Sequence, residues 1–207
     1  MTTAKGAGSA AVVVTSYVAG AIPFAQIVAR LTSTTDLRDH GIGTVSASAL
    51  QDVAGIGPVI AAGVLDVAKG TIGPLVAGPS RRPRLATIAS AATVTGHNWS
   101  PFLRGAGGRG ISPAMGALLV TAPEGTAVLL AGIAAGRILG ETALGAIAAD
   151  AVLIPVLGRT RGRAGRLTAA AVLVPLLVKR LVGNRPATKP STYLCRLLLD
   201  RDQRSKS

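Results

Sequence analysis

The chain has 207 residues, of which 49% are hydrophobic, 15% charged and only 2% aromatic, and its mean hydropathy is +0.49. That composition excludes an ordinary soluble domain and points to a helical membrane protein whose small Gly and Ala side chains let helices approach closely. Lysine and arginine number 22 against 9 acids, a net charge of +13, but the basic residues fall in short clusters between apolar runs, which suits anionic headgroups or a phosphorylated substrate better than nucleic acid. A lone cysteine, Cys195, excludes an internal disulfide and a cysteine-based metal site, and two histidines, His40 and His97, leave little room for a histidine-rich one.

In chain order, Lys5 and the apolar run from Ala10 have the outline of a signal peptide, but the run continues past Pro23 to Ala29 and ends at Arg30, which suits a retained first span. About twenty uncharged residues are enough to cross a bilayer, and Pro23 predicts a kink. Thr32 to Ser48 is a polar loop holding Asp36, Arg38, Asp39, His40, Gly41 and Gly43. Val53 to Val64 is apolar and is interrupted by Leu65-Asp66-Val67-Ala68-Lys69-Gly70 before Thr71 to Ala77. On a helix Asp66 and Lys69 share a face, either as a structural ion pair or as a substrate site. Arg81-Arg82-Pro83-Arg84 is a basic turn, and Leu85 to Gly96 leads into a glycine-rich loop. Ile111 to Ala122, Gly125 to Gly136, Thr142 to Leu157 and Leu167 to Val182 are further apolar segments, with a second basic turn from Arg159 to Arg166. The expected fold is an all-α, polytopic membrane helix bundle of about seven short spans over residues 1–183, followed by a basic, partly disordered tail over 184–207 in which Tyr193 to Leu199 forms an interfacial helix. Seven spans with the N-terminus outside would bring the loops of Arg38, Arg109 and Arg185 to the cytoplasmic face and leave both basic turns outside.

The loop from Gly96 to Gly110 is the centre of the functional reading. Glycines at 105, 107, 108 and 110 let backbone N–H groups converge on an anion, and Arg109 adds a fork that matches phosphate oxygens. The loop reads either as a phosphate cradle or as a flexible interhelical turn.

The order of motifs from Ser16 to Gly183 resembles the bacterial integral-membrane acyl-phosphate:glycerol-3-phosphate acyltransferases. Ser16-Tyr17-Val18-Ala19-Gly20-Ala21-Ile22-Pro23-Phe24 is similar to that family's first helix, which carries G-S-I-P-F, and Asp36-Leu37-Arg38 with Gly41-Ile42-Gly43 to its D-x-R-x-x-G-S-G-N-x-G-A-T-N. Leu65 to Gly70 matches L-D-x-x-K-G, and Gly96-His97-Asn98 and Gly107-Gly108-Arg109-Gly110 correspond to G-H-N and G-G-K-G. The chain departs from the pattern at Ile42, Thr44, Ser46, Ser48 and Ala49, and has Arg109 for the family lysine. If Arg180-Leu181 aligns with the third motif's R-L pair, the family's His and Asn are Val174 and Leu177, and Arg185 lies near its Glu.

The resemblance implies transfer of a fatty acyl group from acyl phosphate to the 1-hydroxyl of glycerol 3-phosphate, giving lysophosphatidic acid for phospholipid synthesis, by a multi-pass protein of the inner (plasma) membrane. It implies catalytic roles for Ser46, Asp66 and His97, and substrate binding by Arg38, Gly41, Gly43, Ser48, Lys69, Asn98, Gly107, Gly108, Arg109, Gly110 and Arg180. Acyl phosphate, glycerol 3-phosphate and membrane lipids are the implied partners, with neither metal nor cofactor required. A catalytically impaired relative that still binds phosphorylated ligands, and a small anion transporter, are the alternative readings.

Overall fold

Proline and glycine decide where the helices stop. The computed structural model describes residues 2–40, 43–187 and 189–199; within them the fold is all-helical. Helix α1 (Thr2–Ala21) halts before Pro23, and α2 (Phe24–Ser33) restarts after it. The first apolar run is thus broken rather than merely kinked, because Pro23 offers no N–H to continue the ladder. Helix α3 (Ala47–Ala54) is capped by the Ser46 side chain, which accepts from the Ala49 N–H.

Helix α4 (Ile56–Ala77) runs straight through the stretch that sequence reading treated as an interruption. Asp66 and Lys69 lie one turn apart at 2.7 Å and neutralise each other inside the helix, so the chain need not break to hydrate them. Helix α5 (Pro83–Asn98) leads through a 3₁₀ turn (Pro101–Leu103) into the glycine loop, and α6 (Ile111–Thr121) and α7 (Pro123–Ile138) follow.

Helix α8 (Thr142–Val182) folds back on itself. Gly162, at φ 61° and ψ −140°, leaves the helical region, and Gly165 packs so tightly against the Leu157 carbonyl that a Cβ would sit 2.1 Å from that oxygen. The two arms therefore form an antiparallel hairpin, and Arg180 on the second donates to Ala143 O on the first. Among the described residues, α1, α4, α5, α6, α7 and the two arms of α8 are the helical segments that correspond to the seven expected spans. Gly6–Ser33, Ile56–Ala77 and Thr142–Val182 are the stretches long and apolar enough to cross a membrane by length and composition.

Small residues set the helix spacing. Gly20 meets Thr93 O between α1 and α5, and Gly116 meets Val67 O between α6 and α4, each with about 2.0 Å left for a Cβ. These are the backbone approaches on which lipid-embedded packing depends. The core of Leu118, Leu129, Leu153, Leu157, Val172 and Leu173 joins α6, α7 and both arms of α8.

Helix α9 (Pro190–Leu199) covers the expected interfacial segment and packs on α8 rather than trailing as a separate tail. Arg196, only 3% exposed, donates to Val182 O, and residues 184 and 185 belong to the loop assembly described next.

Candidate active site

The glycine-loop end of the bundle is assembled from segments far apart in sequence. The break between α1 and α2 leaves carbonyls that helical neighbours cannot satisfy. Ser100 Oγ donates to Ala21 O at 2.6 Å, and Lys69 Nζ donates to Ile22 O. The Tyr17 hydroxyl donates to Trp99 O at 2.9 Å. Together these bonds fix the break to α4 and to the start of the glycine loop.

Three loops then meet. Val45 N–H donates to Gly107 O at 3.2 Å. The Asn184 amide nitrogen donates to both Gly43 O (2.8 Å) and Gly107 O (2.9 Å), while Arg185 donates to Arg38 O at 3.2 Å. The loops of Arg38, Arg109 and Arg185 accordingly share one end, as the topology reading required.

Glycine is needed here for space. A Cβ on Gly107 would lie 2.2 Å from His97 O, and one on Gly108 would lie 2.3 Å from His97 Nε2. Gly110, at φ +80°, is the N-cap of α6 in a conformation that L side chains rarely adopt.

Under these loops lies a hollow of about 240 Å³. Its polar wall carries Ser46, Ser48, Asp66, His97, Arg109, Gly110, Ser112, Arg137 and Arg180, and its apolar wall includes Val59, Ala62, Gly63, Ile133 and Ala146. Arg180 is 4% exposed and its guanidinium also reaches Leu197 O. Burial, then the nearby Arg180 charge, pushes the Arg109 pKa down to about 9, which leaves the guanidinium charged at neutral pH. Two guanidiniums beside one hollow make it attractive to an anion. His97 Nδ1 stands 3.8 Å from Asp66 Oδ1. Asp150 on the first arm of α8 is 6% exposed, and its carboxylate oxygens have no hydrogen-bond partner.

The structure distributes the expected site residues unevenly. Ser46, Ser48, Asp66, His97, Arg109, Gly110 and Arg180 line the hollow; Gly107 and Gly108 back it against His97, and Gly43 holds the Asn184 bridge. Lys69 faces elsewhere: it is 2% exposed and engaged by Asp66, Ile22 O and the Phe24 ring. Asn98 is fully buried and donates to Pro175 O at 2.7 Å, tying α5 to α8. Arg38 lies outside the hollow with its fork on Asp36, at 2.9 and 2.6 Å. Gly41 falls outside the described residues.

Sequence reasoning passed over Ser112, Arg137, Lys179 and Asn184. Lys179, against the Trp99 ring and bonded to Asn184 Oδ1, reads in sequence as an ordinary basic flank, and Asn184 as the first residue of a tail. A polar residue directly after a helix-ending glycine was the available signal. In the third-motif alignment tried above, Val174 is 60% exposed on the outer face of α8, so a histidine there would not reach the hollow.

These features define a polytopic helical membrane protein with a cationic, glycine-walled site beneath one end. The profile of the glycerol-3-phosphate acyltransferase family matches residues 10–185. Glycerol-3-phosphate acyltransferase 4 of Dehalococcoides mccartyi is 31% identical over 204 residues, 92% of this chain and 88% of its own length. The glycerol-3-phosphate acyltransferase of Roseobacter denitrificans is 32% identical over 185 residues, 86% of this chain and 90% of its own. The fold is that of PlsY, an integral membrane glycerol 3-phosphate acyltransferase solved in its glycerol 3-phosphate form, at a TM-score of 0.78 and 23% identity, with 95% of this chain and 94% of that one covered. The chain belongs to the glycerol-3-phosphate acyltransferase family.

Proposed function

We propose that the donor is an acyl phosphate, that the acceptor is the 1-hydroxyl of glycerol 3-phosphate, and that the reaction takes place in the hollow at the cytoplasmic face of the inner (plasma) membrane. The observation that carries this reading is the placement of Arg109 and Arg180 on one hollow that is also lined by apolar Val59, Ala62, Ile133 and Ala146. Phosphoryl oxygens fit between the two guanidiniums, and an acyl chain fits along Val59, Gly63 and Ile133. Ser46, Ser48 and Ser112 offer hydroxyl donors to substrate oxygens.

Acyl phosphate is already activated. The acceptor hydroxyl attacks the acyl carbon, the new ester C–O bond forms, and the bond to the phosphate oxygen breaks. The hydroxyl proton leaves on the departing phosphate, so lysophosphatidic acid and inorganic phosphate are the products. Arg109 and Arg180 stabilise the charge that builds on that phosphate. Asp66 and His97 border the hollow and orient the acceptor, while Lys69 holds the Asp66 carboxylate in place. Arg38 and Gly43 contribute through the loop they hold, their carbonyls accepting from Arg185 and Asn184.

The test mixes purified protein with palmitoyl phosphate and glycerol 3-phosphate and follows lysophosphatidate. Wild type forms product, and Arg109→Ala or Arg180→Ala lowers kcat/KM by about 10²–10³. Arg109→Lys, which restores the family residue, retains more activity than the alanine variant. Absence of product from wild type, with phosphate binding that depends on Arg109, would instead favour an impaired relative.

A further inference from the structure

At the end of the bundle opposite the site, the turn before α5 and the hairpin turn of α8 lie side by side. They enclose a second hollow of about 980 Å³. Arg84 and Arg163 stand on its rim, both exposed, and Arg81, Arg82, Arg159 and Arg166 flank it. Among the described residues the carboxylate at this end is Glu124, and it is already occupied by Arg161, with bonds to both of its oxygens. Among the described residues, no further carboxylate balances the arginine excess here.

The floor of this hollow is apolar, formed by Ala86, Ile88, Val120 and Leu167 around a Thr87–Thr168 hydroxyl pair at 3.1 Å. Ile88 and Leu167 are more than half exposed. From Leu167 the surface continues into a groove of about 540 Å³ along α5 and the second arm of α8, past Ala171 and Val174 to Val178. A cationic rim therefore opens into an apolar channel that follows the helices across the bilayer.

We propose that this hollow is a binding site for an anionic phospholipid of the leaflet opposite the catalytic hollow. The phosphodiester sits between the Arg84 and Arg163 guanidiniums, and one acyl chain lies in the groove from Leu167 to Val178. A free phosphate would use the rim alone and leave the channel empty; a zwitterionic lipid would fill the channel but bring a cation against the arginines. Both features together select a lipid with net negative charge. The site shares no residue with the catalytic hollow, so its failure and that of the acyltransfer reading are separable.

Native mass spectrometry of the full chain released from nanodiscs of mixed phosphatidylglycerol and phosphatidylcholine reads this directly. Wild type retains one phosphatidylglycerol. Arg84→Gln with Arg163→Gln reduces that retention about tenfold or more, while Arg104→Gln at the other end leaves it unchanged. Leu167→Trp, which blocks the junction of hollow and groove with the charges intact, also loses the lipid, and thermal unfolding confirms that each variant is folded. Equal retention of the two lipids, retention undiminished in the double variant, or displacement of the lipid by excess inorganic phosphate would overturn the proposal.

Discussion

The Lys69 ammonium donates to the carbonyl oxygen of Ile22, forty-seven residues earlier in the chain. The bond joins the middle of α4 to the break between α1 and α2, and it explains why a lysine is kept inside an apolar helix. Its charge is balanced by Asp66 at 2.7 Å, one turn away.

Lys69→Met leaves Asp66 as an uncompensated buried charge and removes the partner of Ile22 O. The expected loss is about 3–5 kcal/mol, read as a lower unfolding temperature in detergent. Adding Asp66→Asn removes the stranded charge, so the double variant is more stable than Lys69→Met alone. Equal stability of the two would mean that the ion pair is not the organising contact.

Asn184 ties the α2–α3 loop and the glycine loop to the end of α8 through Gly43 O and Gly107 O. Asn184→Ala costs about 1 kcal/mol for each bond lost and raises KM through looser loops. Asn184→Asp does more damage than alanine, because an acceptor then faces two carbonyl oxygens. Steady-state kinetics alongside thermal unfolding separate the two effects.

Gly107→Ala forces a methyl group to within 2.2 Å of His97 O, and a backbone atom cannot swing away. The variant loses activity and unfolds at lower temperature. Gly8, in the second turn of α1, has nothing within 4 Å of a new Cβ and no proline after it. Gly8→Ala therefore stabilises by about 0.5–1 kcal/mol, by removing backbone freedom from the unfolded chain. Opposite signs for two glycine-to-alanine changes test the packing directly.

The loop between α2 and α3 has a definite pH response. Hydrogen bonds from the Arg38 side chain, against an opposing contribution from burial, hold the Asp36 carboxyl well below its ordinary value of 3.8. A depressed carboxylate contributes stability that is fully present above the unfolded value and is lost as pH falls through the folded one. The stability difference between wild type and Asp36→Asn is thus level from neutral pH to about 5 and shrinks only below about 4. A gap that closed already near pH 6 would assign the effect to another group.

Much of this protein is legible without coordinates because lipid imposes a simple rule: backbone polar groups must be satisfied within helices. Apolar runs therefore read directly as spans and the glycine loop as an interruption, whereas Pro23, read as a kink, breaks the helix outright. The same rule misled at Asp66 and Lys69, where a charge-bearing stretch looked like a break. Within one helix, a pair one turn apart neutralises itself, and only the packing of α4 against the Ile22 carbonyl shows that the helix gains from continuing. The chain order of motifs was likewise sufficient to point to the family, since each motif is local.

The all-helical membrane character, the glycine loop and the cationic character of the site follow from composition and short-range spacing, which are local properties of the chain. The tertiary structure decided which cations share a hollow. Arg180 and Arg137 join Arg109 there, whereas Arg38 turns to Asp36 and Lys69 to the helix break. The reason is geometric: a side chain's direction is fixed by how its helix or loop is rotated against its neighbours, and contacts such as Asn184 with Gly43 span most of the chain.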